Sequence, residues 1–194
     1  MSKPRETLMT HNLHHKWRFW VVFCKFLDKQ VYEIESIISV NSLELFVDYF
    51  NSLPTIDELH YNETNQVSLA FFADDIKPAW EDPHNAKGGS YHFVIQDSTI
   101  VHEIWKKLLV HAIIGDIDKI LSESQDLKKE YELCGITVAV KKPGYMFAIW
   151  TKTPPNQNGP VYQKIQELVQ SVVPKNVNYS LTTSAHGHKN KKKK

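Results

Sequence analysis

Trp17-Arg18-Phe19-Trp20-Val21-Val22-Phe23-Cys24-Lys25-Phe26 is the stretch on which the fold turns. Aromatic and β-branched side chains dominate it, and such residues suit a pleated, half-buried surface. Side chains alternate faces along a strand, so Trp17 and Trp20, three apart, point to opposite sides. Trp20 reads as core packing. Working outward, residues 1–10 are polar and read as a flexible N-terminus. Asp28-Lys29-Gln30 reads as a turn, and Val31–Ile38 as a second short strand or a loop followed by one. Asn41–Leu53 reads as a helix: Asn41 caps it, Glu44 completes a capping box, and Pro54 ends it. Val67–Ala73 and Tyr91–Ile95 read as strands.

A second helix begins at Asp97 or Ser98 and closes near Ile114 at Gly115. Residues 116–133 read as an exposed, charged insert with room for a helical turn or two. Ile136–Val140 and Met146–Thr151 form a hairpin around Lys141-Lys142-Pro143-Gly144. Pro160 opens a third helix with Val161, Ile165, Leu168 and Val172 on one face, and Val177–Leu181 reads as a last strand. Strands and helices mix without regular βαβ alternation. This favours an α+β fold, an antiparallel sheet covered on one face by helices. Residues 11–185 are expected to form one domain, followed by a basic, disordered tail at 186–194.

Composition is that of a soluble globular chain. Of 194 residues, 42% are hydrophobic and 23% charged, and no apolar run approaches a membrane span. The net charge of +1 hides an asymmetry, because five of the 23 basic residues, Lys189 and Lys191 to Lys194, lie in the last six positions. Without them, 18 basic residues face 22 acidic ones. The folded part is therefore no general polyanion binder, and any such contact is local or made by the tail. Cys24 and Cys134 sit among apolar residues outside any zinc spacing and read as buried free thiols. His11, His14 and His15, and His186-x-His188, lack cysteine or acidic company and read as solvated, so no metal is expected. No cofactor motif, nucleophile elbow or phosphate-cradling glycine loop occurs, which argues against an enzyme.

Chemistry concentrates in Pro78-Ala79-Trp80-Glu81-Asp82-Pro83-His84-Asn85-Ala86-Lys87-Gly88-Gly89-Ser90. The prolines stiffen the loop, and Gly88-Gly89 permits a tight turn or a close backbone approach. Trp80 offers a π-face to a flat ligand, and Glu81 offers acceptors to N–H groups in the ligand's plane. That pairing suits guanine, whose N1–H and N2–H₂ both donate along one edge. Taken alone, the segment reads more readily as a Trp capping a core beside solvated turn residues.

Four motifs in order carry a resemblance: His11-x-Leu13-x-x-x-Trp17-x-x-Trp20, Trp80-Glu81-Asp82 with Gly88-Gly89, Trp105 in a helix, and Ala148-Ile149-Trp150-Thr151. Together they resemble the mRNA cap-binding translation initiation factor of the four-E type, over residues 11–185. The resemblance implies a curved antiparallel sheet of about eight strands, with three long helices on the convex face and a cap slot on the concave one. It implies that Trp80 stacks on a 7-methylguanine cation and that Glu81 accepts from the guanine edge. Trp150 would contact the N7-methyl side. The family's second stacking Trp has no counterpart, since no Trp occurs between Trp20 and Trp80; Tyr32 is the nearest aromatic and stands as a weaker second plate.

For the phosphates, Lys141 matches a family arginine, whereas Ser90 and Met146 replace two expected cations. Lys142 and Lys87 are substitutes by proximity. The resemblance also implies a helical docking partner, a scaffold initiation factor or repressor, at His11, Leu13, Val47 and Trp105. Asn12 replaces a proline there, Val47 replaces an exposed Trp, and Lys106-Lys107 follow Trp105. The expected protein is a monomer without membrane association, cytoplasmic, with the lysine tail leaving a nuclear role open. The alternative is an interaction or repressor protein of the same fold with weak cap affinity.

Overall fold

The computed structural model describes residues 10–26, 30–59, 65–122 and 132–186. Seven strands form one antiparallel sheet: β1 (Asn12–Phe26), β2 (Gln30–Ser42), β3 (Asn65–Ala73), β4 (Gly89–Ile95), β5 (Leu133–Lys141), β6 (Gly144–Thr151) and β7 (Thr182–Ala185). Their order is β2-β1-β3-β5-β6-β4-β7. The sheet is curved and open, and the helices lie on one face. They are α1 (Leu43–Ser52), α2 (Ser98–Ile113), α3 (Asp116–Ser122) and α4 (Pro160–Val172), with a single 3-10 turn at Ile56–Glu58. The fold is α+β as expected. It differs in having seven strands among the described residues rather than about eight, and four helices of unequal length rather than three long ones.

Alternation along the strands divides the molecule. Trp17, Phe19, Leu69, Phe71, Tyr91, Phe93, Ile136, Val138, Phe147 and Ile149 face the helices and form the main core. Residues of the opposite parity face an open cavity and a small second cluster of Ala70, Phe72, Ala73, Ile76 and Cys134, against which Trp20 and Trp150 pack. Trp17 is thus the main-core tryptophan, 1% exposed and stacked on Phe71 at 4.9 Å. Trp20 belongs to the other face, with Arg18 Cζ 5.6 Å from its ring centroid. Cys24 and Cys134 are buried, unbridged thiols, and burial pushes the Cys134 thiol up to about 12.

Several boundaries move for identifiable reasons. β2 runs on to Ser42, which pairs with Asn12, so α1 starts later than the capping pattern suggests. Ser42, not Asn41, caps it, accepting from Leu45 N–H at 3.3 Å. Glu44 turns instead to His11, accepting its backbone N–H with both oxygens at 3.1 Å and lying 2.6 Å from its ring Nδ1. That side-chain bond is the main reason the Glu44 carboxyl is lowered to about 2. Asp97 caps α2, and Gly115 follows with φ +83°, in the region glycine favours.

The insert expected at 116–133 is not wholly an excursion. Its first seven residues form α3, which buries Ile117 and Leu121. Asp118 accepts from the backbone N–H of Glu132 and Leu133, tying α3 to the start of β5. Residues 123–131 lie outside the described residues, as do 1–9, 27–29 and 187–194, so Asp28 and Lys29 of the expected turn and the lysines of the tail are among them, whereas Gln30 begins β2. The last strand is Thr182–Ala185, paired with β4, and not Val177–Leu181. Val177 and Tyr179 pack against the core without pairing to the sheet.

Trp105 is 1% exposed and sits within the main core. Trp105→Ala should therefore lower stability by about 3–5 kcal/mol in urea denaturation. A variant as stable as the parent would contradict this placement.

Candidate functional site

The face opposite the helices carries a cavity of about 940 Å³. Alternate residues along the central strands build its wall: Val22 and Cys24 from β1, Gln66 and Ser68 from β3, Thr137 and Ala139 from β5, Ala148 from β6. This is the parity that gives Trp17 and Phe19 to the core.

Of the six residues expected at the ligand site, Tyr32, Trp80, Glu81, Lys141 and Trp150 all line this cavity. They come from β2, the loop after β3, β5 and β6. Lys142 and Lys87 are not on its wall. Trp80 and Tyr32 are large aromatic rings left half in solvent, 55% and 45% exposed. Tyr32 reaches the cavity because the β1–β2 hairpin is long, with Tyr32 opposite Cys24. Trp150 is more enclosed. Its ring meets Phe72 edge-on at 5.6 Å, and its Nε1–H donates to Thr137 Oγ1 at 3.3 Å.

The loop that presents Trp80 is braced from within. Asn85, fully buried, donates through Nδ2 to the carbonyls of Lys77 and Ala79, each at 2.8 Å. Asp82 accepts from Lys77 N–H at 3.0 Å and from His84 N–H at 2.9 Å. The two neighbouring carboxylates therefore do different work: Asp82 holds the loop, while Glu81 stays exposed at the cavity with no hydrogen-bond or ion-pair partner among the described residues. Gly88 is required by close approach, since a Cβ there would lie 1.9 Å from the Thr151 carbonyl oxygen. His186 N–H donates to the Gly88 carbonyl, and the His186 ring lies 4.5 Å from Trp150.

Charged side chains on the wall are few. Besides Glu81, Asp82 and Lys141 there is Lys77, and two imidazoles join them, His92 and His186. Burial lowers both imidazoles below the usual 6.5; the Lys141 charge adds to the effect at His92. Sequence reasoning missed Lys77, Asn85, His92 and His186. Alternation from Tyr91 marks His92 as facing away from the core, but nothing local signals the Asn85 brace.

The helix face bears the residues expected for docking. His11 is exposed but held by Glu44, and Leu13 is partly buried against the core. Val47 is exposed, whereas Trp105 is inside. Exposed apolar side chains also stand at Leu43, one turn before Val47, and at Val110 and Ile114 on and just after α2. Among the described residues, no helix is long and apolar enough to cross a membrane, and no cluster of His, Cys, Asp or Glu could hold a metal ion.

The family model described as Eukaryotic initiation factor 4E matches residues 12–194. The chain belongs to the eukaryotic initiation factor 4E family. Eukaryotic translation initiation factor 4E of Dictyostelium discoideum is 28% identical over 175 residues, covering 86% of this chain and 64% of that protein. The Saccharomyces cerevisiae factor is 27% identical over 147 residues, covering 74% and 62%. The chain thus spans less than two thirds of either relative.

Among solved structures, Ascaris suum eIF4E-3 with an m2,2,7G cap superposes with a TM-score of 0.69 at 21% identity, covering 89% of this chain and 91% of that one. Schistosome eIF4E complexed with m7GpppG and 4E-BP gives 0.68 at 19%, covering 89% of both chains. These likenesses establish that the initiation factor 4E fold is shared.

The bracing predicts a measurable cost. Asn85→Ala strips the buried Ala79 carbonyl and the part-buried Lys77 carbonyl of their donor, and should cost about 1–3 kcal/mol in urea denaturation. A change within about 0.5 kcal/mol, the range of an ordinary surface substitution, would show that the brace carries no stability.

Proposed function

We propose that this protein binds the 7-methylguanosine cap of mRNA and links it to the translation initiation machinery, acting in the cytoplasm as a monomer. The carrying observation is that Tyr32, the adjacent Trp80 and Glu81, Lys141 and Trp150, from four separate stretches of the chain, line one cavity. N7 methylation makes guanine a cation, and a cation over an aromatic face gains about 0.5–1 kcal/mol when exposed and about 2 kcal/mol or more when desolvated. Trp80 is one plate and Tyr32 the other. A phenol ring offers a smaller face than an indole, so the sandwich is weaker than one made by two tryptophans. Glu81, free of loop duties, accepts from guanine N1–H and N2–H₂. Trp150, oriented by Thr137, closes on the methyl side. Lys141 takes the phosphate chain.

Ser90 and Met146 on the wall supply no charge, which reduces the phosphate contribution and flattens the salt dependence of binding. This favours a second reading: a member of the fold with weak affinity for the bare cap, acting as an interaction or repressor protein, or gaining affinity from methylated nucleotides beyond the triphosphate. The helix face supports a partner in either case. Leu43 with Val47, and Val110 with Ile114, are exposed apolar pairs of the kind an amphipathic partner helix covers.

Titration with 7-methylguanosine triphosphate and with GTP, followed by tryptophan fluorescence, tests the cap reading. The methylated nucleotide should quench and GTP should not. Trp80→Ala and Glu81→Ala should each weaken binding at least about tenfold, roughly 1.4 kcal/mol, and Tyr32→Ala by less. Equal affinity for both nucleotides would contradict the cation sandwich. A cap carrying further methylated nucleotides that binds no better than the bare cap nucleotide would remove the extended-cap idea.

The docking surface makes its own forecast. With Val47 in place of an exposed Trp and Trp105 in the core, a helical peptide of the standard tyrosine-containing docking type should bind weakly by calorimetry. Tight binding would contradict it.

A further inference from the structure

The sheet register shows what occupies the gap left by Ser90 and Met146. On the cavity side, strand pairing sets the residues of β4, β6 and β5 in successive rows. Ser90 pairs with Trp150; His92 pairs with Ala148, which pairs with Thr137; Val94 pairs with Met146, which pairs with Ala139; and Gly144 pairs with Lys141 at the hairpin end. Rows on one face are about 7 Å apart. His92 therefore stands one row on from Ser90 and one row before Met146, between the aromatic end at Trp150 and the cationic end at Lys141. Its row neighbour Ala148 is small, and both line the cavity. A phosphate chain leaving a base held at Trp80 and Trp150 towards Lys141 crosses His92.

We propose that His92 is the proton-switched phosphate cation of this cavity: the imidazole takes up a proton when an anionic phosphate chain lies between Trp150 and Lys141, so that affinity for phosphorylated cap nucleotides rises as pH falls. This rests on the cap reading of the same site and names a residue for its phosphate side.

The surroundings set the sign. From β5 Lys141 faces His92, from the loop after β3 come Lys77, Glu81 and Asp82, and His186 follows β7. Tyr32 stands across the cavity on β2, and β6 contributes no titratable group to this wall. Burial, then the Lys141 charge, hold the free imidazole below the usual 6.5, against an opposing contact with the Ser90 backbone. Without an anion beside it, His92 is thus biased towards its neutral form. An arriving phosphate reverses the balance, since an anion beside an imidazole favours the imidazolium. Binding then draws a proton from solvent, and linkage requires affinity to increase as pH falls through the window between the free and bound values.

The test compares the parent with His92→Gln, which keeps a polar side chain of similar reach but cannot titrate. Affinities for 7-methylguanosine triphosphate and for the 7-methylguanosine nucleoside are measured from about pH 5.5 to about pH 8, and the His92 ring is followed by NMR. The ligand's own titrations are common to both proteins and cancel in the ratio. The parent should gain about tenfold over the variant in triphosphate affinity across that range, the fold-change of one pKa unit. The nucleoside should show no such gain. The His92 ring should titrate at higher pH with the triphosphate bound and be unmoved by the nucleoside.

A parent and variant with parallel profiles, both binding the methylated triphosphate, would overturn the role of His92 while leaving the cap reading intact. Should the methylated nucleotide fail to bind at all, the cap reading fails, and inorganic triphosphate replaces it as the NMR probe. An upward shift of the His92 titration would then still support a phosphate site, and no shift would overturn it.

Discussion

Trp17 stacks on Phe71 with ring planes 9° apart, and Phe19 packs against the same Phe71 ring at 4.6 Å. Phe71 meets Phe46 of α1 at 5.7 Å. This aromatic knot locks β1 to β3, where Phe19 pairs with Phe71. Because side chains alternate, locking those residues to the helix side commits every residue of opposite parity to the other side. A slip of one residue would bury Gln66 and Ser68 in the core and expose Phe71. The cavity is thus the complement of the core: one register decision produces both.

That constraint explains how much of the fold is legible in the sequence. The Trp17–Phe26 stretch announces a strand by composition, and parity alone separates Trp17 from Trp20. The four motifs then name a family whose fold follows. The extent of β2 is not legible, because continuation to Ser42 depends on pairing with Asn12, about thirty residues away. The same pairing moves the helix cap from Asn41 to Ser42 and gives Glu44 to His11. The final strand is misplaced by pattern because Val177 and Tyr179 have the side chains of a strand. Their apolar surface is used against the core, while Thr182–Ala185, a polar segment, finds the open edge of β4.

The candidate site shows the same division. Trp80 and Glu81 are legible because an aromatic face beside a carboxylate suggests a purine site, and Trp150 only through the family motif. The brace is not: Asn85 gives no local sign that its amide will bind two carbonyls six and eight residues upstream. Only that geometry distinguishes the adjacent carboxylates, with Asp82 consumed by the loop and Glu81 available. The cavity is also less cationic than the resemblance implies. In the proposed reading, with Ser90 and Met146 on the wall, Lys141 and the imidazole of His92 take the phosphate side, and Trp80, Tyr32 and Trp150 take the base. On that reading, specificity for the base and affinity for the phosphates fall to different residues.

The most direct measurement is a crystal structure with 7-methylguanosine triphosphate bound. The account predicts the base between the rings of Trp80 and Tyr32, Glu81 accepting from its N1 and N2, and the phosphates running past His92 towards Lys141. A base seated elsewhere, or held by Asp82 with Glu81 turned to solvent, would contradict it.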